Sequence, residues 1–441
     1  MTTSTVSTRS LPPGPSSPKV VQTWRYWREP STYVRQCHAK YGDRFTLHVW
    51  PFGTVVFLAD RDDVKSLVRA DPEVFQAGAS NSFGAVVLGE KSVFVTDGEQ
   101  HARSRALMMP AFHGKAVRDQ VELMREITAA NLAGWPVGRE FRALPEMQAI
   151  SLEVISRNVM GIDDPQLKAD VQLSVRELVY NGSWFDLLPG QDRFPTLHPA
   201  AVRRRRLRAR SDALLRWQIE AHRRDPHLDQ RRDVLSMLLR ASTEDGTAMP
   251  DDEICDQLIT LLLAGHETTA TGLAWCLERL VRNPEVLATA QAAADEDDDT
   301  YLDAVVKETL RARTVVPEIG RMLSRDADFA GYRIPAGTHL WPSIELLHES
   351  PESFPEPHEF RPERFLEKGA MADWIPFGIG NRRCLGATFA QVESRVVLKE
   401  LLRRFEFATT DAPPEGPVRR HVTLVPDREA TVTIRRLRTA A

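Results

Sequence analysis

Cys384 stands in the stretch "FGIGNRRCLG", residues 377 to 386, among three glycines and two adjacent arginines. The apolar positions Leu385, Phe389, Val392 and Val396 recur at helical steps, which places the cysteine at the mouth of a helix. Free N–H groups and the dipole at a helix start, together with Arg382 and Arg383, lower a thiol's pKa and favour the thiolate. Gly378 and Gly380 permit a tight bend, and Gly386 lets a bulky group approach within one turn. Such a loop suits metal ligation. A dinucleotide fingerprint would need glycine at 383, where Arg383 stands, and no βαβ pattern surrounds the loop. A cysteine hydrolase would need a base and an orienting group that the sequence does not identify. One cysteine taken alone is more often buried packing; the whole decapeptide is more specific.

A second set pairs an acid with a hydroxyl: Glu267 and Thr268 in "AGHETT", residues 264 to 269. His266 and Glu267 open a zinc-protease HExxH pattern, but its second histidine position holds Ala270. His266 therefore reads as a packed neighbour. A threonine hydroxyl can divert a backbone carbonyl, so a local break of the helix is expected here. Glu308 and Arg311 in "KETLR" lie one turn apart on a helix striped by Leu302, Val306 and Leu310, a spacing also common in surface ion pairs.

The elements that must position these residues are mostly helical. Amphipathic patterns cover residues 117–133, 145–160, 200–222, 252–283, 300–313 and 385–404. Residues 44–60 read as a hairpin around Pro-Phe-Gly, and "YRIPAGTHLWPS" as a second, turning at residues 335 to 337. Further short strands are expected between 405 and 436. Residues 1–18, polar and then proline-rich, read as a mobile tail, and 19–441 as one large domain, mainly α with small β sheets.

Composition narrows the function classes. Hydrophobic residues make up 42% and charged residues 27% of 441, as in soluble globular proteins, and the net charge of −4 gives no sign of a nucleic-acid partner. The four cysteines form no close pair, and the first ten residues lack a secretory h-region, so a cytoplasmic protein is expected. Residues 258–277 have the length of a membrane span but carry His266 and Glu267 at their middle, so a buried helix and no transmembrane anchor are expected.

The decapeptide resembles the haem-ligand loop of the cytochrome P-450 superfamily, Phe-x-x-Gly-x-Arg-x-Cys-x-Gly: Phe377, Gly380, Arg382, Cys384 and Gly386 all match. The superfamily's other signatures follow in its order over roughly residues 20 to 436. The resemblance implies the cytochrome P-450 fold as a single haem domain of the soluble bacterial type, holding non-covalent haem b with Cys384 as axial ligand to iron. It implies that Phe377 shields the sulfur and that Arg382, His101, Arg105 and Arg321 contact haem propionates. It also implies that Arg364 of "PERF" joins Glu308 and Arg311 in a buried network, and that Glu267 and Thr268 relay protons. Thr314 departs from the pattern, since many relatives have proline there, and Pro317 follows three positions later.

By the same resemblance the activity is that of a monooxygenase. O2 is the co-substrate, one oxygen atom hydroxylates a C–H bond or epoxidises an alkene, and the other leaves as water. The electrons are expected from a separate ferredoxin or flavodoxin with its NAD(P)H reductase, docking near Cys384, where Arg382, Arg383, Arg403 and Arg404 contribute positive potential. The pocket walls implied are Phe83, Val87, Trp184, Phe185, Leu263, Ala264, Val316 and Ile319, apolar residues that suit a fatty acid, terpenoid or steroid-like molecule. The alternatives on this scaffold are a peroxygenase or isomerase and a non-catalytic haem-based ligand-binding protein. The run "RRRRLRAR", residues 203 to 210, reads as a solvated helix face.

Overall fold

Arg44–Val49 and Gly53–Leu58 pair antiparallel, with Phe45 opposite Phe57 and Val49 opposite Gly53, as their alternating residues predict. The computed structural model describes residues 11–162, 164–180, 199–243 and 246–438. The chain forms two compact units, one of residues 1–80, 124–150 and 268–441, the other of 81–123 and 151–267.

In the first unit that hairpin begins a five-stranded sheet. Gly53–Leu58 runs parallel to His339–Pro342, which pairs antiparallel with Arg321–Leu323, and Phe75–Gln76 closes the order. The expected hairpin about residues 335–337 does not form. Gly337 does turn the chain, at φ 77°, but the strands before and after it join different sheets. Tyr332–Ile334 pairs instead with Ala327–Phe329 across Ala330 and Gly331, both at positive φ, a two-residue turn that fits the strand twist. His339–Pro342 is buried along its length and takes the centre of the larger sheet.

The Pro-rich lead-in belongs to this unit: Thr46 donates from its amide to the Pro13 carbonyl and from its hydroxyl to the Pro12 carbonyl. Asp299–Ala312 starts where the Asp298 carboxylate accepts the amides of Thr300 and Tyr301. Its stripe of Leu302, Val305 and Val306 buries against Leu398 and Leu402 of Ala387–Arg404.

In the second unit, Gly265 lets helix pack on helix: an added Cβ would lie 2.7 Å from Ile155 Cδ1. The long helix Asp251–Arg282 runs from this unit into the first without interruption, so the break expected at Glu267 and Thr268 is absent. The same helix accommodates a threonine hydroxyl bonded to the carbonyl one turn back, Thr260 to Asp256 at 2.7 Å, and stays α-helical.

Candidate functional site

The cysteine loop is built on aromatic packing. Trp374 is buried, and its indole N–H donates to the Lys307 carbonyl at 3.0 Å. Phe377 meets that indole edge-on, with ring centroids 5.7 Å apart, over a cluster that includes Phe354 and Phe365. The chain then turns through Gly378 and Gly380, at φ 70° and 67°. At Gly380 an added Cβ would also come within 2.8 Å of Val68 Cγ1, so both conformation and space require glycine. The amide of Cys384 closes the loop by donating to the Phe377 carbonyl at 2.8 Å. The helix Ala387–Arg404 follows directly.

The four cysteines differ sharply. Cys37, Cys255 and Cys276 are buried, and burial pushes their thiols up to about 11, 12 and 12. Cys384 is exposed. An atom added at Gly386 would meet nothing within 4 Å. A soft sulfur donor presented at a helix mouth, with open space at Gly386 two residues on, fits a thiolate-ligated haem.

Glu308, Arg311 and Arg364 are brought together as expected, all fully buried. Arg311 grips the Glu308 carboxylate with two parallel hydrogen bonds, Nε to Oε2 at 2.7 Å and Nη2 to Oε1 at 2.8 Å. Arg364 Nε lies 3.1 Å from Oε2 as an ion pair without hydrogen-bond direction. The backbone amide of Arg361 completes the carboxylate's partners at 2.9 Å. Other guanidinium hydrogens go to carbonyls, Arg311 to His348, Pro357 and Glu359 and Arg364 to Pro355, Glu356 and Glu359. Tyr301 adds a bond to Glu363 of the Pro362–Phe365 turn at 2.8 Å. The network thus fixes the irregular segment that leads into the cysteine loop.

Sequence reasoning missed His348. Buried at the end of the helix Ile344–Glu349, its Nε2 accepts the amide of Ile375 at 3.1 Å. Nothing in "LLHES" distinguishes it from a surface histidine.

The other site residues are placed separately. Arg321 opens its strand in the first unit, half-buried, with Nη1 donating to the Gly320 carbonyl at 2.8 Å. His101 and Arg105 lie one turn apart on Gly98–Met108 in the second unit, His101 buried. That helix is held by Glu253, which accepts Ser104 Oγ at 2.7 Å and Arg103 Nη2 at 2.8 Å. Glu267 is buried on the long helix; Ala264 is exposed and Thr268 half-buried, one turn apart on one helix face.

Of the expected pocket residues, Phe83, Val87, Leu263 and Val316 are half-buried, and Ile319 packs against Val64, Ile344, Leu347 and Ile375. Trp184 and Phe185 lie outside the described residues. Among the expected docking cations, Arg382 is half-buried and Arg383 exposed. Arg403 is instead engaged locally, with the Ala294 carbonyl at 2.7 Å and Asp297 at 2.8 Å, and Arg404 lies over the Phe405 ring. The basic run is not wholly solvated either. Arg208 bonds Asp212 at 2.9 Å, the Val87 carbonyl at 3.1 Å and the buried carboxylate of Asp256.

Comparison with known proteins gives one consistent result. The sequence model of the family described as Cytochrome P-450 matches residues 11–433. A Mycobacterium tuberculosis protein bearing the provisional name cytochrome P-450 135B1 is 45% identical, over 98% of this chain and 93% of its own length. A second from that organism, provisionally cytochrome P-450 135A1, is 38% identical over 96% and 95%. Among solved structures, cyanobacterial CYP120A1 with retinoic acid bound has a TM-score of 0.82 at 24% identity, over 96% of this chain and 99% of that one. The cytochrome P-450DA heme domain gives 0.82 at 23%, over 97% and 98%.

Proposed function

Because the chain belongs to the cytochrome P-450 family, whose members are haem monooxygenases with cysteine-ligated haem b and O2 as co-substrate, we propose that it oxygenates a hydrophobic small molecule and that Cys384 would supply the thiolate that holds the haem iron. Haem held by a thiolate supplies O2 binding and, through electron donation from sulfur, O–O cleavage. Everything else falls to the protein's own residues.

Phe377, packed on Trp374, would shield the Cys384 sulfur, and the Cys384 amide bonded to the Phe377 carbonyl fixes the backbone that carries the thiol. Arg382, Arg321, His101 and Arg105 would pair with the two propionates, which a haem without covalent attachment needs. Glu267 and Thr268 would handle the protons that the reaction consumes: the Thr268 hydroxyl would donate one and the Glu267 carboxyl group would pass on its replacement. The half-buried apolar residues Phe83, Val87, Leu263 and Val316 support a fatty acid, terpenoid or steroid-like substrate. Electrons come from a ferredoxin or flavodoxin, for which the Arg382–Arg383 pair is the cationic contact. Among the described residues no helix is long and apolar enough to cross a membrane.

The observation that carries this reading is the contrast among the cysteines, three buried and one exposed on a loop closed upon itself. Its test is the carbon monoxide spectrum of the reduced holoprotein. A thiolate-type band is expected, lost in Cys384→Ala. An imidazole-type band in the unmodified protein overturns the proposal. Turnover with O2 and reductase, compared with turnover on peroxide, separates the monooxygenase from a peroxygenase.

A further inference from the structure

The helix Lys19–Arg28 carries apolar side chains on its outer face. Its inward positions, Gln22 and Tyr26, are 2% and 1% exposed, the Tyr26 ring packing against Phe57 and Trp341. Gln22 donates to the carbonyls of Pro15 and Ser17 and accepts the amide of His48. The Tyr26 hydroxyl accepts from Arg419 at 3.1 Å. Its outward positions are apolar: Val20 is 77% and Trp24 59% exposed, with Val21 and Trp27 beside them. Positions 20, 24 and 27 form one stripe along the helix, and Trp27 stacks on Phe52 of the neighbouring hairpin turn, extending it. A solvated helix face is normally the polar one.

The charge along the helix is positive, with Glu29 just past its end, 4.0 Å from Arg28. The helix carries Lys19, Arg25 and Arg28 and no carboxylate. Residues 1–28 hold four cations and no acid, in a chain whose net charge is −4. Arg28 lies over the Trp24 ring, 5.6 Å from its centroid. Tryptophan and valine on the outermost surface, flanked by cations, match the boundary between headgroups and acyl chains, where an indole sits between wet and dry layers and basic residues meet anionic headgroups. An acidic protein partner would use the cations but its charged surface would leave the apolar stripe without apolar surface to bury against.

We propose that this protein binds reversibly to anionic membrane surfaces through Val20, Trp24 and Trp27, with Lys19 and Arg28 at the headgroups. The helix lies in the interface and does not span the bilayer. Docking of this kind is independent of the reaction proposed above, because it is read without turnover.

The test is co-sedimentation of the full-length holoprotein with phosphatidylcholine vesicles, with and without phosphatidylglycerol. Binding to the anionic vesicles is expected to exceed that to the neutral ones by about tenfold or more and to fall with salt. Trp24→Ser combined with Val20→Ser should abolish it, and Arg28→Gln should weaken it about fivefold. All three positions point outward, so unchanged haem absorbance and melting verify folding. Three results overturn the proposal: no vesicle binding, binding that the double variant retains, or a dimer in solution that Trp24→Ser dissolves without any vesicle binding.

Discussion

His348 accepts the backbone amide of Ile375 at Nε2, which ties the helix Ile344–Glu349 to the chain just before the cysteine loop. Burial, then the Arg311 guanidinium, pushes the imidazole down from 6.5 to about 3. As pH falls, the unfolded chain takes up this proton near 6.5 and the folded chain only near 3. The stabilisation is therefore complete above 6.5 and is lost progressively toward 3. Glu345, pushed up to about 7 by burial, works in reverse: its contribution is complete below 4.5 and lost as pH rises through 7. His348→Gln keeps a neutral acceptor and removes only the histidine's share. The gap in melting temperature between the parent and this variant should narrow from about pH 7 to about pH 5. A gap independent of pH would show that the imidazole does not titrate in this way.

The Glu308 network makes an ordered prediction. Glu308→Gln leaves two buried guanidiniums without a counter-charge and should cost about 3–5 kcal/mol. Arg364→Ala leaves the carboxylate its two bonds from Arg311 and the Arg361 amide, so it should cost less, about 1–3 kcal/mol. Urea unfolding of the three proteins checks the order. Equal losses would mean that Arg364 matters to the carboxylate as much as the bidentate partner does.

Gly380 joins backbone conformation to packing in the cysteine loop. Gly380→Ala adds a Cβ 2.8 Å from Val68 Cγ1 at a φ of 67°. The conformation alone costs about 1–2 kcal/mol, and the contact adds to it. Val68→Ala in the same chain removes the contact and leaves the strained φ. Haem retention should thus fall in the single variant and recover partly in the double one. Full recovery, or none, would show that only one of the two causes operates.

The helices were legible because their stripes are long: the pattern at 300–313 became Asp299–Ala312, and 385–404 became Ala387–Arg404. The strand errors came from a competing turn. "YRIPAGTHL" has a good turn at its centre, but Ala330 and Gly331, immediately before it, supply another, and burial of His339–Pro342 decides in its favour. The expected break at Thr268 assumed that a threonine hydroxyl must distort the backbone, whereas the bond at Thr260 shows that this helix absorbs one. In the site, Glu308, Arg311 and Arg364 belong to recognisable motifs and the structure brings them together, whereas His348, whose partner Ile375 is distant in sequence, belongs to none. Arg208 was hidden by its neighbours, since a half-buried arginine within a basic run looks in sequence like the others.

Thr268 and Glu267 share the long helix, and the proton delivery proposed for them has its own signature. Thr268→Ala should leave haem content and the carbon monoxide band unchanged. It should raise peroxide released per electron pair by about tenfold or more, as expected for losing a positioned proton donor. The measurement is NAD(P)H consumed against product and peroxide formed. An unchanged ratio would take Thr268 out of the relay.

Arg208 and Arg206 provide the sharpest contrast within one short run. Arg208 bonds the Val87 carbonyl, Asp212 and Asp256, and the other Asp256 oxygen accepts the Lys91 amide at 2.9 Å. Gly89 sits so close that an added Cβ would be 2.1 Å from that carboxylate. Arg208→Ala leaves Asp256 buried with only the Lys91 amide among these partners and should cost about 3–5 kcal/mol. Arg206 is exposed, and Arg206→Ala should change stability by no more than about 0.5 kcal/mol. Asp256→Asn in the Arg208→Ala background should restore part of the loss, because a neutral amide no longer needs the cation. Denaturant midpoints of the four proteins decide it: if both arginine variants behave alike, the whole run is solvated after all.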